Sequence, residues 1–343
     1  MTRCLLTGAG GFVGHHFLEH VLSRTDWDVV ATDSFRHRGT TDRIAQVLRG
    51  TPAWESRPWD DRVTVLQHDL RAPFSERSAH LIAGRGGLDY LIAMASQSHV
   101  DTSITDPVPF VENNMAVALN TLELARQLKP RAVVMISTDE VYGPVPAGGA
   151  HAEWAPVLPS NPYAASKAAQ EAVSVSYWRT YGVPVIITNT MNMIGERQHP
   201  EKFIPKVLRD VLAGRETVIH GTPGEIGSRH YLHARNMADA VVFLLSLGRP
   251  AEFPAGQRPD RYNIASADRI SNLALAQMIA GAAGRPLRYR LEDFHSARPG
   301  HDPHYGLDPG KIAALGWKPP VPFAESLERT IRWTMRHPEW MLG

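Results

Sequence analysis

The chain has 343 residues, 43% of them hydrophobic, and a formal net charge of +1 from 36 basic and 35 acidic side chains. That length can bury a large core and favours division into two parts, and the balanced charge argues against a general nucleic-acid-binding surface. A single cysteine, Cys4, excludes an intrachain disulfide and a multi-thiolate metal site. No apolar run has the length of a membrane span or the form of a secretory leader, so a cytoplasmic location without membrane contact is the default expectation. The 16 histidines are scattered and form no HExxH-type pair, and no metal site is expected.

Residues 3–7, RCLLT, read as a short apolar strand with Cys4 as buried filler. Gly8, Gly11 and Gly14 follow, and Phe12, Val13, Phe17, Leu18, Val21 and Leu22 recur at helical spacing. A second strand, 28–32, ends at Asp33. Strand, glycine turn, helix, strand and acid make a dinucleotide-binding arrangement. Gly8, Gly11, Phe12, Val13 and Gly14 would cradle a pyrophosphate at the helix N-terminus. Asp33 would accept from the adenosine ribose, which favours NAD over NADP because a carboxylate repels a 2′-phosphate. Arg36 and Arg38 follow it closely and temper that preference.

The βα alternation continues. Strand 63–67 leads to Asp69 and Leu70, where Asp69 either reaches the adenine or caps a turn. Strand 88–93 leads to Ser96, Ser98 and His99, close to where cofactor or substrate would lie. For His99 a structural hydrogen bond and a substrate contact stay equally open; Asp101 reads as structural. A helix over 113–128, the strand AVVMIST, a helix over 160–182 and the strand 183–190 follow. This rhythm predicts a doubly wound α/β fold of the Rossmann type, mostly parallel, with its active site beyond the C-terminal strand ends.

The strand AVVMIST runs into Thr138, Asp139 and Glu140. An Asp-Glu pair at a strand end is ordinarily a solvated face. Here it follows a central strand, where a reaction needing one proton donor and one acceptor could use both. Neighbours on an extended strand point to opposite faces, so both acids reach one substrate only if the strand ends at this point. Tyr163 and Lys167 occur in SNPYAASK, four residues apart on one helical face, with Ser160 or Asn161 as cap and Pro162 in the first turn. The nearby ammonium is expected to lower the Tyr163 pKa and make it a base for a hydroxyl proton.

The blocks TGAGGFVG, SQSHVDTSI, ISTDEVYG, NPYAASKAAQE, HPEKFIPKVL and RPGHDPHYGLD, taken in order over nearly the whole chain, resemble the extended short-chain dehydrogenase/reductase superfamily. Within it the chain is most similar to the nucleoside-diphosphate-glucose 4,6-dehydratases, the dTDP-glucose branch above all. The Tyr/Lys pair marks only the superfamily, whereas Thr-Asp-Glu is more specific, since related epimerases generally lack the two acids.

The resemblance implies NAD as cofactor and a nucleotide sugar as substrate. Tyr163 would take the sugar 4-hydroxyl proton, Lys167 would hold the nicotinamide ribose, and Thr138 would bond the reacting oxygen. Hydride would leave C4 for NAD, Glu140 would take the C5 proton, Asp139 would protonate the departing 6-hydroxyl, and hydride would return to C6. Asn192, Glu201, Lys202, Arg229, Asn263, Arg298 and His301 match substrate-binding or neighbouring positions, the two arginines suiting phosphate. The resemblance also implies a homodimer built on helices near 112–128 and 162–181, although those faces could equally pack on their own sheet.

Residues 1–190 read as the NAD-binding domain, with segments near 221–250 returning to it, and 191–343 as a mainly substrate-binding, smaller α/β part. Two blocks depart from the family pattern. Asn-Asn-Tyr-Gly-Pro is replaced by NMIGER at 192–197, and Arg-Asp-Trp becomes Arg229-His230-Tyr231 after a longer approach. These leave the base and the hexose open. A nucleotide-sugar 4-epimerase would share the NAD site, Tyr163 and Lys167 without needing the acid pair. A non-catalytic nucleotide-sugar-binding protein would need neither set.

Overall fold

The computed structural model describes residues 1–50, 58–146, 148–248, 258–266, 269–293 and 304–341. Alternate side chains of β1 (Arg3–Thr7) enter opposite cores, Cys4 and Leu6 on one side and Leu5 on the other. In β2 (Asp28–Asp33), Val29 and Ala31 likewise oppose Val30. This is the period-two pleat of a sheet covered on both faces. β3 (Val63–Gln67), β4 (Tyr90–Ala93), β5 (Ala132–Thr138) and β6 (Val185–Thr190) extend the sheet. Every residue of β5 and β6 is buried, the apolar runs AVVMI and VII together with the polar ends ST and TNT.

Helices α1 (Phe12–Arg24) and α2 (Thr41–Gly50) cover one face through Phe17, Leu18, Val21, Ile44 and Val47. On the other, α3 (Glu76–Ala83) contributes Ala79 and Ile82, and α5 (Pro107–Leu128) contributes Leu122, Leu124 and Ala125. The short α4 (Val100–Thr105) precedes α5, and α6 (Pro162–Tyr181) packs beside it. Helix α5 starts earlier than its apolar periodicity suggests. Pro107 sits in the first turn, where a missing N–H costs nothing.

The rear half builds a second core. β7 (Asn192–Ile194) and α7 (Phe203–Leu212) are followed by β8 (Glu216–Thr222), β9 (Glu225–Ile226) and β10 (Ser228–His233). Then come α8 (Ala234–Ser246), β11 (Asp260–Ile264), β12 (Arg269–Ser271), α9 (Asn272–Ala283) and β13 (Arg288–Glu292). Val207 and Leu208 of α7, Leu275 and Ile279 of α9, and Leu327 and Ile331 of helix 323–336 form its centre. Two small sheets border it, β12-β10-β7 and β13-β8-β9.

The return to the first core differs in detail from the expected 221–250. α8 does return, placing Met237, Val241 and Leu244 against α1. β10 does not; it pairs with β7 and β12. β11, read as part of the rear half, pairs in parallel with β6 and completes a seven-stranded sheet ordered β11-β6-β5-β4-β1-β2-β3. All its pairings are parallel. The order in which successive strands are added reverses between β1 and β4, which opens a crevice beyond their C-terminal ends. Among the described residues no helix is long and apolar enough to cross a membrane.

Candidate active site

The crevice encloses about 870 Å³ between the main sheet and the rear core. At one end lies the glycine turn. Gly8 has φ +72°, and a Cβ there would come within 3.0 Å of the Ala95 backbone. A Cβ on Gly14 would meet the Gly8 carbonyl at 2.0 Å, so only glycine lets α1 start this close to the strand. Gly11 caps α1 with no side-chain hydrogen bond, which leaves the first-turn N–H groups at Phe12 and Val13 to an anion in the crevice.

Asp33 is held by two backbone amides, Gly10 N–H at 3.0 Å and Phe35 N–H at 2.9 Å. Burial raises its pKa against those bonds. Asp69 lines the crevice and caps the turn that follows β3, its Oδ1 accepting from Arg71 N–H at 3.0 Å. It accepts from Arg71, pairs with Arg36 at 3.3 Å, and is lowered to about 2, first by the Arg71 hydrogen bond. Leu70 and Ser96 also border the crevice, and the Ser96 hydroxyl donates to the Gln97 carbonyl. Sequence reasoning missed Arg43. Buried on α2, it donates to the Gly10 carbonyl and to the Arg197 carbonyl, tying the glycine turn to the loop after β7.

The chain leaves the strand where two acids need it to. β5 ends at Thr138 and Asp139–Tyr142 forms one 3-10 turn. Thr138 Oγ1 accepts from Glu140 N–H and donates to Asp139 Oδ1 at 2.9 Å. Both carboxylates and Tyr163 line the crevice, and Tyr163 shares a hydrogen bond with Thr138. Asn161 caps α6 with its amide oxygen, while its amide nitrogen donates to Glu140 Oε2 at 3.0 Å. The cap reading was legible; the grip on Glu140 was not. Burial first, then the Glu140 charge, pushes Asp139 up to about 7. A carboxylic acid in that range holds a proton near neutrality.

The expected lowering of Tyr163 is reversed. Burial raises its pKa, with the charges of Glu140 and Asp139 adding to the shift. Lys167 does not counter them, because its ammonium is turned toward the Ile136 carbonyl at 2.8 Å and Gln170 Oε1 at 2.6 Å. Burial lowers Lys167 to about 8, with Glu171 opposing.

Of the candidate substrate contacts, Ser98, His99, Asn192, Glu201, Lys202 and Arg229 all reach the crevice. His99 caps α4, accepting from Thr102 N–H, and its other ring nitrogen lies 2.6 Å from Glu201. Glu201 also meets Arg38 and His199. Burial lowers the Lys202 pKa. The Arg229 guanidinium lies 4.8 Å over the Tyr305 ring, a stacking partner that no spacing signalled. Asn263 is not brought to the crevice. It is fully buried in β11, donates its amide to the His151 carbonyl and accepts from the Tyr142 hydroxyl. Arg298 and His301 lie outside the described residues.

The two altered blocks divide. Met193, Ile194 and Tyr231 line the crevice, whereas Glu196 and His230 do not. Glu196 instead meets His233, whose Nε2 lies 3.0 Å from its carboxylate, and His16, 3.8 Å away. The side-chain donors of these three lie within 4.8 Å of one another. His233 Nδ1 accepts from Arg235 N–H, so Nε2 carries the proton and donates to Glu196. That proton occupies the lone pair a metal would need, and the cluster is a hydrogen-bonded one.

The model of the NAD dependent epimerase/dehydratase family matches residues 4–265. The chain is 33% identical over 327 residues to the low-salt glycan biosynthesis protein Agl12 of Haloferax volcanii, covering 95% of this chain and 96% of that one. To dTDP-glucose 4,6-dehydratase 1 of Escherichia coli K12 it is 31% identical, with 99% and 94% covered. The crystal structure of DesIV, a dTDP-glucose 4,6-dehydratase from Streptomyces venezuelae with NAD and TYD bound, superposes with a TM-score of 0.82 at 31% identity, covering 99% of each chain.

Proposed function

The chain belongs to the NAD-dependent epimerase/dehydratase family of the short-chain dehydrogenase/reductase superfamily, and on that premise we propose that it is a nucleoside-diphosphate-hexose 4,6-dehydratase. Its product would be the 4-keto-6-deoxy sugar plus water, with dTDP-glucose the first candidate substrate. One observation carries this reading: Asp139 and Glu140 share a 3-10 turn at the crevice beside Tyr163, with Asp139 raised to about 7.

Gly8, Gly11, Gly14 and the uncapped start of α1 fit the pyrophosphate of NAD, and Asp33 fits its adenosine ribose. When bound, oxidised NAD supplies a reversible hydride acceptor and a positive charge. Tyr163, bonded to Thr138, takes the 4-hydroxyl proton as the C4–H bond is broken and the ketone forms. Its raised pKa makes the phenolate costly unless positive charge comes near, and Lys167 on the same helix is the protein's own source. The ketone acidifies C5–H, and Glu140, oriented by Asn161, removes that proton. Asp139 gives its proton to the 6-hydroxyl, which leaves as water. Glu140 gives its proton back to C5 as C6 takes up the hydride that bound NAD would supply. Over the cycle Tyr163 gains one proton and Asp139 loses one, and exchange with solvent restores both.

Arg229, stacked on Tyr305, suits the diphosphate. Met193, Ile194 and Tyr231 stand where the family pattern has other side chains, so base and hexose identity rest on these positions. A homodimer through α5 and α6 is supported by the exposure of Val108, Leu119 and Tyr181. Incubation with a panel of dTDP-, UDP-, GDP- and CDP-sugars tests the assignment. Loss of one water by mass with NAD unchanged is the expected result; an isomer of unchanged mass would make the protein an epimerase.

A further inference from the structure

Gln170 lies one turn beyond Lys167, and both are buried on the same side of α6. Its side-chain amide makes two short bonds. Oε1 accepts from Lys167 Nζ at 2.6 Å, and Nε2 donates to the Asn114 backbone carbonyl of α5 at 2.6 Å. The orientation of the amide is unambiguous, because a carbonyl can only accept and an ammonium can only donate. Asn114 is itself immobilised, donating to Ser166 Oγ at 2.9 Å and accepting from Gln97 N–H at 2.8 Å. The bridge therefore runs from a fixed backbone to Lys167 at the crevice. A side chain must offer both an acceptor and a donor to complete it.

We propose that Gln170 is a positioning residue that sets the direction and charge of Lys167, and through it the pH dependence of the C4 oxidation that Tyr163 begins. This rests on the dehydratase reading of the same site. Two of the three ammonium hydrogens are spent on Ile136 and Gln170, which leaves one for the crevice. Other charged or titratable groups face Lys167 from each packed element. Glu171 and Tyr163 lie on α6, Asp139 lies at the end of β5, and Arg261 of β11 reaches Glu171. Because Glu171 is already paired with Arg261 and accepts from Asn189, Gln170 is the side-chain acceptor bonded to the ammonium, beside the Ile136 backbone carbonyl. Burial already brings Lys167 near neutrality, so a small change in that contact moves its charge within the working pH range.

The test compares the full-length wild-type protein with Gln170→Leu and Gln170→Glu. Lys167 is titrated by NMR of lysine labelled at its side-chain carbons, its resonance assigned by its loss in Lys167→Arg. Gln170→Leu is expected to lower the titration by about one pH unit and Gln170→Glu to raise it by a similar amount. On a nucleotide sugar that the wild type turns over, the alkaline limb of single-turnover C4 oxidation, a step that precedes proton donation by Asp139, should shift in the same directions, about tenfold in rate at a pH on that limb. Should Gln170→Leu not fold, Gln170→Glu alone still decides. An unchanged Lys167 titration in the folded variants overturns the proposal. The NMR arm needs no turnover, so a protein that dehydrates none of the panel sugars refutes the dehydratase reading without obscuring this result.

Discussion

Asn161 joins two functions through one amide: its oxygen caps α6 by accepting from Ala164 N–H at 2.8 Å, and its nitrogen holds Glu140 at 3.0 Å. The helix that carries Tyr163 and the acid that faces it are thus set by the same side chain. Asn161→Asp keeps the cap and turns the donor into a second carboxylate. Thermal unfolding should change little, while kcat for dehydration falls at least about tenfold. Asn161→Ala should lose both, with about 1 kcal/mol of stability gone as well. Wild-type activity in Asn161→Asp would show that Glu140 needs no such hold.

The two acids have separable tasks. Glu140→Gln should retain NAD and lose dehydration by about 10²- to 10⁴-fold, together with exchange of the C5 hydrogen in deuterated solvent. Asp139→Asn should keep that exchange while water loss stops. Mass spectrometry of recovered substrate reads both, and the reverse pattern would exchange the assignments.

Asp139 also makes a pH prediction. Its pKa is raised to about 7, so the donor is progressively lost as pH rises through 7, and water elimination should fall on that limb. The stability sign is the same. A carboxyl whose folded pKa exceeds its unfolded value favours the fold below about pH 4, and that contribution is lost as pH rises toward 7. Asp139→Asn should therefore unfold at a higher temperature than wild type at pH 8 and show no such gain at pH 4. Equal Tm differences at both pH values would contradict a protonated Asp139.

The cluster of His16, Glu196 and His233 should make the protein acid-sensitive. Burial lowers His233 to about 4. Burial pushes Glu196 up, but its His233 hydrogen bond and the His16 charge outweigh this and hold it well below the carboxylate range. Both shifts have one sign. Stability is present above the unfolded values and falls as pH drops through about 6.5 for His233 and about 4.5 for Glu196. Below about pH 4.5, Tm should decline more steeply in wild type than in Glu196→Gln, which should be the less stable protein at pH 7.

The glycine turn, the βα rhythm, the Thr-Asp-Glu triplet and the Tyr-Lys spacing were legible because each is a local pattern. Their partners lie within a few residues, and backbone geometry alone places them at a strand end or on one helical face. The resemblance to the dehydratases rested on the same short blocks, and membership of their family followed from it. Even the requirement that β5 end at Thr138 could be stated beforehand, since pleating forbids two adjacent side chains from sharing a face.

What the tertiary structure alone decided are meetings between residues far apart in the chain. β11 closes the sheet edge beside β6, which takes Asn263 into the core and away from the crevice. His16 and Glu196, 180 positions apart, come together with His233, so part of what looked like altered substrate specificity is a buried hydrogen-bonded cluster. Lys167 turns to Ile136 and Gln170, leaving Tyr163 raised by burial. Spacing can place two side chains on one face of a helix. The direction of a charged group depends on which acceptors the rest of the fold brings within reach, and desolvation depends on everything packed around it.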